Sequence, residues 1–394
     1  MTQPPGPNDP HDAPDNGPNG PDQAPEMVDW DLAVSTAKRF VRPGPDVSGD
    51  EARDVVAELR QGAARSEGLV RDYTGLHAET ATAPVMVVDR PGWVQANADG
   101  FRTIMRPLIA KIVDQRGTPS PTSAAIGSRI TGLEAGALLG YLSGKVLGQF
   151  DPFWSPGPAL DPALDPANGS ASGAAPEPPP VGRMLLVAPN IVHVERELKV
   201  DPRDFRLWVC LHEETHRVQF TAVPWMRDHL HNEIRALIDA TDFDMSRLAA
   251  LARDGLEQVG RLVRGDEDVS LIDVFQTRAQ REIVERITAT MSLLEGHADV
   301  VMDGVGPEVI PTVDEIRNRF NVRRKGAGPL DRFLRKMLGL DAKMAQYRNG
   351  ATFVRGVIDE VGMEGFNKVW VSPENLPSRE EIGDPSAWVR RVHG

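Results

Sequence analysis

The chain has 394 residues, 57 acidic against 44 basic side chains, a formal net charge of −13 and a single cysteine. No apolar run approaches the ~20 residues that cross a bilayer, the acidity is wrong for a general nucleic-acid binder, and one cysteine can build neither an internal disulfide nor a Cys cluster for zinc or for iron and sulfur. With no Lys or Arg before Lys38 and no apolar segment to follow it, a secretory signal is not expected, and the cytoplasm is the expected location.

In chain order, residues 1–27 are expected to form a disordered tail. Met1–Glu26 hold eight prolines, five acids and no Lys or Arg, so they cannot bury enough apolar surface to offset chain entropy. Residues 28–154 read as an N-terminal helical lobe, because apolar residues recur at helical spacing over Trp30–Val41, Asp50–Tyr73, Trp93–Val113 and Ser123–Phe150. The β-branched run Val85–Asp89 predicts a strand within it. Gly132, Gly136, Gly140, Gly144 and Gly148 fall at every fourth residue, which on a helix makes a smooth ridge that admits another backbone. Glu134 and Lys145 interrupt that apolar stretch, so tight packing within the molecule is expected rather than a membrane dimer. Residues 155–181 read as a flexible loop, with eight prolines and three acids in Ser155–Pro180 and no helical or strand period. Without these two 26-residue stretches, 342 residues with a net charge of −5 remain, enough for two lobes around a cleft.

Residues 182–394 read as the second lobe. Met184–Ala188 predicts a strand, and helices are expected over Pro202–Phe220, Pro224–Thr241, Asp244–Asp254, Thr277–Asp303, Gly328–Leu338 and Asp341–Val361. The C-terminal segment NLPSREEIGDPSAWVRRVHG is expected to be a partly extended tail ending in a short helix. The whole is mainly α with a small β component.

The strongest chemical signal is His212-Glu213-Glu214-Thr215-His216, an HExxH pattern inside the apolar segment DFRLWVCLHEETHRVQF. At ~100° per residue the two histidines stand about 40° apart on one face, where two imidazoles can grip one metal ion, and Glu213 lies at the edge of that face as a candidate general base. Asp201 is a candidate N-cap, Pro202 suits the first turn, and Asp204 favours the positive end of the helix dipole. Cys210 projects about 160° from His212 and is expected to be a small buried hydrophobe.

A catalytic zinc site wants three protein ligands and a water. The metzincin extension would need Gly at 219 and His at 222, where this chain has Gln219 and Ala222. The segment MSLLEGHADVVMDG offers Glu295, Asp299 and Asp303 on one helical face. Glu295 is the preferred third ligand, with Asp299 expected to accept a hydrogen bond from a ligand histidine and fix its tautomer. Glu233, His229, His231 and His297 are the alternatives, although His297 lies about 200° around the helix from Glu295 and cannot share an ion with it.

These residues carry a resemblance. HEETHRVQFTAVPW, preceded by APNIVHVERELKVDPRDFRLWVC and followed by LLEGHADVVMDGVG, resembles the zincin-like family of hydrolases often labelled as associated with biosynthesis of the deazaflavin coenzyme, from DWDLA at Asp29 through NLPSREEI. The HExxH motif with E-x-x-A-D is also similar to gluzincin metallopeptidases. The resemblance implies a mainly helical zincin fold with Zn²⁺ on His212, His216 and Glu295.

The expected function is zinc-dependent hydrolysis of a peptide or other amide bond, with Glu213 as general base. Tyr347, Arg348 and Gln219 are candidate oxyanion donors. The alternative is a non-catalytic zincin-like scaffold, or an accessory protein of deazaflavin coenzyme metabolism. No Gly-rich phosphate loop or basic cluster supports direct coenzyme binding.

Overall fold

Polar residues set the helix starts. In the computed structural model, which describes residues 27–77, 83–117, 120–155, 182–241, 277–325 and 340–394, Asp29 caps α1 (Trp30–Phe40), Ser48 caps α2 (Gly49–Thr74) and Asp89 caps α3 (Arg90–Arg116), each side chain accepting from a backbone N–H of the first turn. The strand β1 (Val85–Val88) precedes α3. Helix α4 (Pro121–Leu142) ends in a turn at Ser143–Lys145, and β2 (Gly148–Asp151) follows. Ser123–Phe150 is therefore not one helix: its last residues are held by strand pairing, a tertiary gain that outweighs local periodicity. The second half contains β3 (Arg183–Val187), α5 (Ala188–Leu198), α6 (Pro202–Thr221), α7 (Met226–Ala240), α8 (Arg278–Gly304), α9 (Val313–Lys325), α10 (Leu340–Phe366, broken at Gly362), α11 (Arg379–Ile382) and α12 (Pro385–His393). The C-terminal segment is docked, with Trp388 fully buried and its indole N–H donating to Asn375 O at 2.7 Å. Residues 1–26 of the expected tail, 156–181 of the Pro-rich loop and the helices expected at Asp244–Asp254 and Gly328–Leu338 lie outside the described residues.

The three strands form one sheet in the order β1-β3-β2, with β1 parallel and β2 antiparallel to the central β3. β3 is buried along its whole length and serves two cores. Met184 and Leu186 enter a larger one with Leu59 of α2, Phe205 and Leu211 of α6, Leu293 of α8 and Phe353 of α10. Leu185 and Val187 point to the opposite face, into a smaller core with Trp30, Ala33 and Val34 of α1 and Trp93 and Val94 of α3. Core membership does not follow chain order, since α2 packs with the second half of the chain.

The glycine ridge does what its period predicts over three of its five members. A Cβ at Gly132, Gly136 or Gly140 would stand 2.6, 2.5 or 2.9 Å from the carbonyl oxygen of Asp29, Ala33 or Ala37, so α1 lies with its backbone against α4. Among the described residues no helix is long and apolar enough to cross a membrane.

Candidate metal centre

Helix α6 begins where its residues demand. Asp201 accepts from the N–H groups of Arg203 and Asp204 at 2.9 and 3.0 Å, and Pro202 takes the first helical position, where its missing N–H costs nothing. Asp204 accepts from both the N–H and the hydroxyl of Thr312, at 3.0 and 2.6 Å, tying the helix start to the segment ahead of α9. From there α6 is buried on nearly every side. The polar run HEETHRVQ is thus carried through the interior, where each side chain needs a partner.

His212 and His216, one turn apart, bring their Nε2 atoms to 3.2 Å. Glu295 of α8 faces both, with carboxylate oxygens 3.8 Å from His212 Nε2 and 3.6 Å from His216 Nε2. Among the described residues this is the one group of three His, Cys, Asp or Glu whose donor atoms all lie within 4.8 Å of one another. Tetrahedral zinc with bonds of ~2.0–2.1 Å would set its ligand atoms roughly 3.3–3.4 Å apart, and the three separations bracket that distance. Two imidazoles and a carboxylate are also the right donors, and the side chains of His212 and Glu295 keep 27% and 28% of their surface exposed, so solvent reaches the group. The residues present fit a zinc ion.

Glu213 is buried beside this group. Burial, and after it the nearby Glu295 charge, hold its carboxyl well above the usual carboxylate range, opposed by a hydrogen bond from the Phe150 backbone N–H of β2. Gly148 lies directly on it: a Cβ there would stand 2.5 Å from Glu213 Cγ and 2.7 Å from Cδ and Oε1. The last glycine of the fourfold series therefore sits in a strand and makes room for a buried carboxyl. Glu214 points elsewhere, into an ion pair with Arg217 that Arg217 extends to Glu67 of α2 at 3.2 Å. Burial pushes Glu214 up to about 7 although Arg217 pulls the other way.

The second nitrogens of the histidines meet groups that sequence reasoning did not assign to them. His212 Nδ1 lies 3.2 Å from Met302 Sδ. His216 Nδ1 lies 3.0 Å from Gln219 Oε1, and the Gln219 amide nitrogen donates to Leu294 O and to His297 Nδ1, each at 2.9 Å. Both amide hydrogens of Gln219 are thereby used, and the residue is fully buried, so it is not an oxyanion donor. Asp299 forms an ion pair with Arg317 at 3.0 Å. Glu233 is paired with Arg286 at 2.9 Å, His229 meets Trp225 edge-on and His231 packs at a tilt against Phe153, and His297 is buried with its imidazole pushed down to about 3 by burial and then by His216. Cys210 is buried with its thiol against Leu59 O and its acidity suppressed by burial. The side chains of Tyr347 and Arg348 lie outside the described residues, although their backbone belongs to α10. The Gln219–His297 contact left one signal in the sequence: Gln219 continues the His212, His216 face.

Residues 28–389 match the family model of zincin-like metallopeptidases. The fold is similar to the crystal structure of an inferred hydrolase with a novel fold from Chloroflexus aurantiacus, at a TM-score of 0.65 and 29% identity, covering 93% of this chain and 99% of that one. No curated protein matches the chain.

Proposed function

Because the chain belongs to the zincin-like metallopeptidase family, we propose that it is a zinc-dependent hydrolase of peptide or other amide bonds, with the metal held by His212, His216 and Glu295 and with Glu213 as general base. The observation that carries this reading is the convergence of three donor side chains from two helices within 4.8 Å, with a buried carboxyl alongside. A bound zinc supplies Lewis acidity, lowering the pKa of a water in the open position toward ~7 and polarising the carbonyl to be attacked.

The protein's own residues supply the rest. The two imidazoles and Glu295 bind and orient. Glu213 takes the proton of the attacking water as the new C–O bond forms, holds it on its carboxyl, and gives it to the amine nitrogen as the C–N bond breaks. A structural zinc would have no use for such a group beside its first histidine.

The test is zinc content and turnover of a peptide library by the wild type and by Glu213→Ala. The expected result is one zinc per chain in both proteins, with cleavage lost by roughly 10²–10⁴-fold in the variant. A wild type that holds zinc and cleaves no peptide or amide would point to the non-catalytic scaffold. A wild type that holds no zinc removes the metal centre itself.

A further inference from the structure

We infer that Gln219 and His297 are a positioning pair that fixes which nitrogen of His216 is offered to the metal; the inference rests on the zinc reading of His212, His216 and Glu295. The contacts of the Gln219 amide determine where the hydrogens lie. Leu294 O is a backbone carbonyl and can only accept, so the Gln219 group 2.9 Å from it is the amide NH₂. The other end of that amide, 3.0 Å from His216 Nδ1, is then the carbonyl oxygen, and it can only accept. His216 must therefore carry its proton on Nδ1, leaving the lone pair on Nε2, the atom that faces His212 and Glu295. A reversed amide would set oxygen against oxygen at Leu294.

His297 takes the second amide hydrogen on its own Nδ1 at 2.9 Å. As a neutral acceptor there, it carries its proton on Nε2, and that nitrogen is buried without a hydrogen-bond partner on a ring packed against Phe366 and Trp370, whose centroids lie 5.4 and 5.2 Å from that of the imidazole. A phenylalanine would fill the same apolar slot without an orphaned N–H. The imidazole is accounted for by what its other nitrogen does. The clamp has a second consequence: Leu294 and His297 flank Glu295 on α8, so the glutamine that sets the tautomer of His216 also sets the register of the helix that carries the third donor.

Zinc affinity is measured on the full chain by competition with a chromogenic chelator, for the wild type, Gln219→Leu, His297→Phe and His297→Asn. Gln219→Leu is expected to weaken zinc binding by about 10–100-fold and His297→Phe by a smaller factor. His297→Asn, whose Oδ1 takes the place of Nδ1, is expected to restore near-wild-type affinity. NMR of the zinc-loaded wild type should show a His216 Nδ1 proton protected from exchange, with that protection lost in Gln219→Leu. A purely structural role would lower thermal stability and leave both readouts unmoved in the folded protein. Wild-type affinity in folded Gln219→Leu overturns the inference while the zinc reading stands. Should that variant not fold, equal affinities for His297→Phe and His297→Asn overturn it. A wild type that binds no zinc removes the underlying reading, and the wild-type titration alone reveals it.

Discussion

Two glycines of one helix should respond in opposite directions to the same methyl group. Gly127 and Gly136 both lie in α4, and replacing a helical glycine by alanine stabilises by ~1 kcal/mol through backbone entropy alone. Around Gly127 nothing lies within 4 Å of the added Cβ, so Gly127→Ala should realise that gain. At Gly136 the added Cβ would stand 2.5 Å from Ala33 O, 2.7 Å from Thr36 Cβ and 3.1 Å from Ala33 Cα. Comfortable carbon contacts begin near ~3.5 Å, so α1 would have to retreat by roughly 1 Å. Backbone cannot swing aside as a side chain can, and α1 is held at the same time over Gly132 and Gly140. Retreat would also loosen Trp30, Ala33 and Val34 in the smaller core. Overpacking of this kind costs about 1–3 kcal/mol, which offsets or exceeds the entropic gain. The two variants should therefore differ by about 1–3 kcal/mol in urea unfolding, with Gly127→Ala above the wild type and Gly136→Ala at or below it. Equal stabilisation by both would falsify the seating of α1 on the glycine ridge.

Two further outcomes follow from α6. In Gly148→Ala the nearest atoms to the new methyl all belong to Glu213, so peptide turnover should fall about 10²-fold, the scale of a ~1 Å misplacement of a catalytic group, while zinc content stays at the wild-type value; loss of zinc would show that the strand supports the metal donors as well. Arg217→Met leaves Glu214 buried without its cation, which should cost about 3–5 kcal/mol in chemical denaturation, and adding Glu214→Gln should recover a large part of it.

The grouping of His212, His216 and Glu295 was legible because helical period alone sets the two histidines on one face, and because E-x-x-A-D marked Glu295 on a second apolar helix. Asp201 was legible as a cap because it acts within the first turn that follows it, and the glycine ridge because its period is written within one helix, although the backbone it admits comes from α1. What escaped the sequence depends on partners distant along the chain. β2 was hidden in an apolar stretch that continues the period of α4, and only pairing with β3 makes Gly148–Asp151 a strand. α5 follows β3 directly and has no side-chain cap to announce it. α9 is so charged that its buried Val313 and Ile316 make no visible stripe. Asp299 looked like a partner for a ligand histidine on helical geometry, and its ion pair with Arg317 depends on where α9 comes to lie.

Helix α6 shows why polar residues are the hardest to place from sequence and the most informative once placed. A helix buried all round normally reads as apolar all round, yet this one carries two histidines, two glutamates, an arginine and a glutamine through the interior. Each polar side chain is directed to a different neighbour: Glu213 to β2, Glu214 with Arg217 to Glu67 of α2, His212 and His216 to Glu295, and Gln219 to Leu294 and His297. An apolar helix could slide or rotate against these elements at small cost, because dispersion contacts are replaceable. Here a rotation of one residue would leave several buried polar groups unpaired at ~1–3 kcal/mol each. The same pairings that are costly to bury thus fix the helix in rotation and translation, and that rigidity lets three donor atoms on two helices stand close to the separations a metal ion requires.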